Sequence, residues 1–348
     1  MDLTTQKQTL RFRDPQIEMA HGAGGKATRR LIEGLIAPLL SNPLLDSLED
    51  AAILPVGGEQ IALTADSFVV RPLHFPGGSI GELAVNGTVN DLAMAGAEPQ
   101  ALLLTMILES GTPTSVVQRE IEAVSKAAQV AEVQIVGGDT KVVEHTKAEG
   151  MYLTTAGIGK VHPQAHLGIH RVKPGDKILL SGPIGDHGIT ILLARGELEL
   201  EADLRSDTRP VWRFVRALLD ALGEAIRWMR DPTRGGVASV LNELARDTGL
   251  GVIVDESQIP LREEVRGACE ILGLDPLHIA NEGQFLAVVD AQYAPEALSI
   301  LRALPGGEEA TLIGEIRESP PRTVLGLTPY GGTRVVDMLV GDPLPRIC

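Results

Sequence analysis

Acidic residues recur in this 348-residue chain where a strand-like run gives way to a turn: Asp50 in EDAAIL, Asp66 in TADSF, Asp91 in VNDLA and Asp139 in GGDTK. Four carboxylates at element ends can build a site for a hard cation such as Mg²⁺. That ion takes a few oxygen ligands and keeps waters for substrate phosphates. Asp is also common at turns and helix caps, and each of the four taken singly has that second explanation. The small residues around Asp91 and the Gly-Gly pair before Asp139 favour the site. The run His21-Gly22-Ala23-Gly24-Gly25-Lys26 offers backbone N–H groups that can approach phosphate oxygens. Ala27 after the lysine departs from the P-loop pattern. Lys141, after Gly138-Asp139-Thr140, either neutralises phosphate charge or is a solvated loop lysine. Glu282 in IANEGQF is an acid or base, or a turn cap.

The chain ends on a cysteine. Pro343 and Pro345 stiffen the last ten residues and forbid a helix interior or central strand there. A thiol at the end of such a segment has no packing role, which makes Cys348 a candidate reactive group. The plainer reading is an accidental terminal residue. Cys269 falls at helical spacing with Val265 and Leu272, as a core residue does.

Alternating elements must position these groups. Residues 60–70, 99–109, 133–138 and 151–161 read as strands, and 79–97 and 114–130 as helices. A turn at Pro174-Gly175-Asp176 marks a boundary, after which the mixed pattern repeats. Val211, Phe214, Leu218, Leu222, Ile226 and Met229 form one apolar helical stripe, followed by a turn at 231–236. At roughly 150 residues per domain the length predicts about two domains, both mixed α and β.

Lys plus Arg is 31 against 46 for Asp plus Glu, a net charge of −15, which disfavours nucleic acid and anionic membranes as partners. Aromatics are 3%, so the core must be aliphatic. Two cysteines cannot form a disulfide framework, and the first residues lack the apolar run of a signal peptide. No run is apolar for long enough to span a bilayer. These features point to the cytoplasm.

In order, HGAGG, EDAAIL, TADSF, GSIGELAVNGTVNDLAMAGAEP, GGDTKVV, PGDKILLSGPIGDHGITIL, DPTRGGVASVLNELA, NEGQF and terminal PRIC resemble the hydrogenase-maturation carbamoyl dehydratases along nearly the whole chain. NDLAMAGAEP, GGDT and DPTRGG are shared with a wider ATP-using superfamily. It includes aminoimidazole ribonucleotide synthetase, selenophosphate synthetase and thiamine monophosphate kinase. The ending PRIC singles out the maturation member, whereas Glu49-Asp50 stands where the family often has paired aspartates.

The resemblance implies an α+β fold with an N-terminal mixed α/β domain (1–165), a C-terminal α+β domain (166–338) and a mobile tail (339–348). The N-terminal domain would pair with a second copy in a barrel-like homodimer. It implies that Asp50, Asp66, Asp91 and Asp139 hold Mg²⁺. His21, Gly22, Gly24, Gly25, Lys26, Asn90, Gly138, Asp139, Thr140 and Lys141 would line the ATP site, and Cys348, Glu282 and Lys141 would act in catalysis. The implied reaction is ATP-dependent dehydration of an S-carbamoyl group on Cys348 to S-cyanide, supplying the cyanide ligand of the [NiFe]-hydrogenase iron centre. A carbamoyltransferase would load the thiol, and an iron-carrying maturation complex would accept the cyanide. The alternatives are a small-molecule synthetase or kinase of the same superfamily, or a thiol carrier.

Overall fold

The computed structural model describes residues 11–196, 202–341, 344 and 346–348. Residues 1–10, for which the sequence predicts no apolar leader, and positions 342, 343 and 345 of the predicted mobile tail lie outside the described residues.

The chain enters through α1 (Lys26–Leu31), which runs through a π-helical turn (Ile32–Ile36) into α2 (Ala37–Leu40). The first sheet holds β1 (Ala52–Val56) and β2 (Glu59–Phe68). A two-stranded ribbon of β3 (His74–Phe75) and β4 (Gly78–Ser79) leads into α3 (Ile80–Met94). β5 (Ala97–Glu109), α4 (Thr114–Val130), β6 (Gln134–Val143) and β7 (Met151–Val161) follow. The sheet order is β1-β2-β7-β5-β6. Only the β5–β6 pair is parallel, because α4 carries the chain back over the sheet between them. Side chains alternate across a strand, so Phe68, Leu102, Leu104, Met151 and Leu153 face α3 and α4 and form an aliphatic core with Leu83, Val124 and Ala127.

Among the described residues none covers the opposite face of this sheet. Leu63, Leu103, Ile107 and Ile158 stand there 44, 49, 38 and 39% exposed. Register pairs Leu103 with Gly137, Thr105 with Asp139 and Ile107 with Lys141, so Asp139 and Lys141 border this same face.

The second sheet holds β8 (Lys177–Leu180), β9 (Ile226–Arg230), β10 (Gly251–Asp255), β11 (Leu286–Val289), β12 (Thr311–Arg317), β13 (Val324–Leu327) and β14 (Thr333–Val335). Its order is β14-β13-β10-β12-β8-β11-β9. The helices of this half are α5 (Asp186–Ala194), α6 (Trp212–Leu222), α7 (Gly236–Thr248), α8 (Glu263–Leu272) and α9 (Ala294–Arg302). On one sheet face Leu179, Met229 and Ala287 pack against α6 and α9. On the other, Ile178, Leu180, Trp228 and Leu286 pack against α7. α5 and α8 instead join the core of the first sheet through Ile189, Ile191, Val265 and Cys269.

The apolar stripe 211–229 is not one helix. α6 stops at Leu222, because Gly223 takes φ +45°, where a side chain is strained, and Ile226 opens β9. Ile226 and Met229 keep their place in the same core, but reach it from a strand.

Candidate active site

Asp50 precedes β1, Asp91 lies near the end of α3, and Asp231 follows β9. One carboxylate oxygen from each lies within 4.8 Å of the others. Asp66 on β2 faces the same space: it hydrogen-bonds Asp91, and the Thr64 hydroxyl contacts Asp91 Oδ2 at 2.9 Å and the Asp50 carbonyl at 2.8 Å. Glu282 completes the group. It is 3% exposed, and its Oε1 is buried with no hydrogen-bond partner among the described residues.

Tight backbone anchoring holds the second-half acids in place. The Asn281 side-chain amide and backbone N–H both donate to the Pro232 carbonyl, at 2.9 and 3.1 Å, which ties the Asp231 turn to the Glu282 loop. Asp207 accepts from the Glu282 and Gly283 amides at 3.0 and 3.2 Å, and Arg209 Nε donates to the Gly283 carbonyl at 2.9 Å. Asn90, predicted to line the nucleotide site, instead donates to the Arg209 and Glu282 carbonyls and accepts from Val211 N. With both donors and an acceptor engaged by backbone, it positions the Glu282 loop rather than presenting its amide to a ligand.

The electrostatics follow from crowding acids away from water. Burial pushes Asp50 up to about 6, against the pull of Arg230, whose Nε lies 3.0 Å away. Burial, then Asp50, push Asp231 up to about 8. Asp91 rises well above the ordinary carboxylate range through burial and then through Asp66, and Glu282 through burial and then through Asp231. Glu49, left open by the sequence, is also raised by burial and faces Arg230. Buried carboxylates short of positive charge are the donor set a hard divalent cation needs.

Raised pKa values mean the folded state holds more protons than the unfolded chain from about pH 4 to 8. Stability therefore falls as pH rises through that window. A cation that takes these groups as anions reverses the loss. Added Mg²⁺ should raise Tm more at pH 8 than at pH 6, and Asp91→Asn should remove that response while raising the metal-free Tm. Scanning fluorimetry at the two pH values reads both; an unaltered Mg²⁺ response in Asp91→Asn would place the cation elsewhere.

Two sequence expectations need correction. Asp139 does not join the other aspartates in its own chain. It lies on the exposed face of β6, three strands from β2, about 14 Å at ordinary strand spacing, whereas Asp66 points to the α3 side. There it pairs with Lys141 at 2.8 Å, which holds its carboxyl below the usual range. Thr140 N donates to Asp139 Oδ1, and Gly138 takes φ +159° against the Leu104 backbone.

The glycine-rich loop is also differently engaged. His21 is buried, accepting from Glu18 N and contacting Asp14, and Lys26 pairs with Asp337. The Lys26 and Ala27 amides, the first of α1, donate to the Leu339 and Val340 carbonyls at 2.9 and 3.1 Å. Gly24 lies against Arg234, which donates to the Gly22 carbonyl. These contacts anchor the loop to the root of the C-terminal tail and to the Asp231 turn.

Asp231 is the acid that reading the sequence missed. Its signal was the one the other aspartates gave, an acid at a strand's end, but the following Pro-Thr-Arg-Gly-Gly explains itself as a turn.

Fold and site together define the class. Sequence models of the N-terminal and C-terminal domains of AIR synthase related proteins match residues 48–161 and 173–325. Carbamoyl dehydratase HypE of Azotobacter vinelandii is 50% identical over 97% of this chain and 99% of its own. A structure of hydrogenase maturation protein HypE in complex with ATP superposes with a TM-score of 0.80 at 42% identity, covering 96% of this chain and 100% of that one. A HypE–HypF complex gives a TM-score of 0.84 at 44% identity, over 89% and 99%. The chain belongs to the HypE family of AIR synthase-related proteins.

Proposed function

We propose that this protein uses ATP to dehydrate an S-carbamoyl group on its own Cys348 to S-cyanide, for assembly of the hydrogenase iron centre. The observation that carries the reading is the buried carboxylate of Glu282, whose Oε1 has no hydrogen-bond partner among the described residues, beside the Asp50–Asp91–Asp231 nest, in a chain that carries a thiol at Cys348. Relatives named carbamoyl dehydratase and a HypE structure holding ATP support it.

The reaction balances as S-carbamoyl plus ATP giving S-cyanide, ADP and phosphate. The carbamoyl oxygen takes the γ-phosphoryl group, forming an O–P bond while the bond to ADP breaks. The amide nitrogen then gives up its protons, the C–O bond breaks, and the oxygen leaves on phosphate. Glu282 is our candidate base: as a carboxylate it accepts an N–H proton, and its raised pKa makes it a better acceptor than an exposed glutamate. Asp50, Asp91 and Asp231, with Asp66 beside them, are the residues that would hold Mg²⁺. The ion's contribution is to neutralise charge on the transferring phosphoryl group.

Lys141 and Asp139 enter this reading across a homodimer. The apolar outer face of the first sheet suits burial against a second copy, and Asp139, Thr140 and Lys141 border it. Lys141 would then face the nucleotide bound mainly by the other subunit. Mixing Lys141→Ala with Glu282→Gln tests this. Each homodimer should be inactive, while mixed dimers carry one intact site, restoring about a quarter of wild-type activity. Activity no higher than the separate variants would mean that each site uses its own Lys141.

The HypE–HypF complex of a relative supports a docking partner, to which we assign carbamoyl loading of Cys348. An iron-carrying acceptor suits the product, an activated cyanide. A thiol that must stay reduced fits a cytoplasmic location. Phosphate release on adding ATP tests the whole reading: it should require carbamoylated Cys348 and be absent from the unmodified protein. Equal phosphate release from unmodified protein would favour a small-molecule kinase.

A further inference from the structure

The final residues are seated, and their contacts belong to a receptor made by other parts of the chain. His187, wholly buried in the first turn of α5, has Nε2 2.7 Å from the Ile347 carbonyl and Nδ1 2.8 Å from Ser206 Oγ. A carbonyl only accepts, so Nε2 carries the proton and Nδ1 accepts from the Ser206 hydroxyl. That oxygen in turn receives the Thr208 amide at 3.2 Å. Burial pushes the imidazole down to about 4, which keeps this single neutral tautomer. One residue earlier, the Arg346 carbonyl accepts from Arg195 Nη2 at 2.9 Å and from Arg71 N at 3.4 Å, and its guanidinium pairs with Glu149.

Ile347 is 2% exposed, and with Leu344 it joins the core containing Ile189, Val265, Ile279 and Ala280. Gly188 makes room: a Cβ there would lie 3.3 Å from Leu344 and 2.5 Å from Ile279. At the tail's root, a Cβ on Gly25 would lie 2.4 Å from the Leu339 carbonyl.

From this arrangement we infer a specific receptor for the C-terminal tripeptide, with His187 as the positioning residue for the terminal thiol. The inference rests on the reading of Cys348 as the reacting group. The receptor recognises two backbone carbonyls, one apolar side chain at position 347 and the charge of Arg346. The hydrogen bonds and the apolar seat are made to residues 344, 346 and 347, so they do not depend on what the sulfur of Cys348 carries. One receptor therefore serves the thiol, carbamoyl and cyanide forms. It is also rigidly joined to the proposed base. Ser206, which takes up the His187 ring, precedes Asp207, whose carboxylate holds the Glu282 and Gly283 amides. Holding a tethered substrate at both root and tip removes orientational freedom that would otherwise slow each turnover.

Carboxypeptidase trimming of the full-length protein, followed by mass spectrometry, tests the receptor without using activity. Trimming tracks the open population of the tail. His187→Ala and Ile347→Asp should each speed release of Cys348 and Ile347 about tenfold, from one lost hydrogen bond or a lost apolar contact. His187→Gln, which keeps a side-chain N–H, should stay within about threefold of wild type. Carbamoylated wild type should be trimmed at the unmodified rate. Ile347→Asp alters only the tail, so its result stands even if His187→Ala weakens the fold. Wild-type trimming rates in Ile347→Asp, or a His187→Gln no better protected than His187→Ala, would overturn the receptor. Dehydration is measured separately. Its absence from a protein that shows the expected trimming pattern would count against Cys348 as the reacting group and leave the receptor standing.

Discussion

Cys348→Ser abolishes cyanide formation completely on this account, while ATP still binds and the Tm moves by little. The serine oxygen forms a carbamate whose dehydration would give a cyanate ester, not the sulfur-bound cyanide, so no residual product is expected. Structure argues that the fold survives. The tail's hold comes from Leu344, Ile347 and the 346–347 carbonyls, and Cys348 adds only a partly buried side chain to that core. Liquid chromatography with mass detection of product, alongside calorimetry, reads both halves. A large fall in Tm without change in turnover would make the terminal residue a packing element and transfer the chemistry to a free substrate.

Glu282→Gln has the second largest expected effect, and its sign on stability separates catalysis from packing. Loss of a general base costs about 10²–10⁴-fold in rate. Glutamine keeps the size of the side chain and removes an ionisable group that burial and Asp231 both oppose charging. Glu282→Gln should therefore lose dehydration, keep ATP affinity and melt at or above the wild-type temperature. Full activity in this variant would eliminate Glu282 as the base and leave the role to one of the aspartates around it.

Much of this site is legible in the order of residues alone, for a physical reason. Asp50, Asp66 and Asp91 each lie at or near the end of an element, and each is followed directly by a small or apolar residue, so the local pattern already separates them from surface acids. What local pattern does not carry is which face of a sheet a residue takes and which distant loop meets it. Asp139 shares the strand-end signature but lies on the outer face of β6, across the sheet from the nest. Asp231 enters the nest because Asn281, fifty positions later, grips Pro232. Asn90 looks like a ligand side chain in a polar run, yet its partners are the carbonyls and amide of segments more than a hundred residues away. The stripe 211–229 failed at one residue, Gly223, where a positive φ breaks a helix that periodicity alone would continue. The tail's receptor was hidden in the same way. Pro343 and Pro345 announce a stiff segment, but nothing in it names His187 or Arg195.

Both the carboxylate nest and the seated tail converge on one claim, that the terminal thiol is the substrate carrier of an ATP-driven dehydration. Mass spectrometry of the C-terminal peptide tests this most directly, after Cys348 has been carbamoylated and Mg-ATP added. The account predicts an ATP-dependent loss of the mass of one water from that peptide, absent in Glu282→Gln. A carbamoyl group that stays intact on Cys348, in protein that binds and turns over ATP, would contradict it.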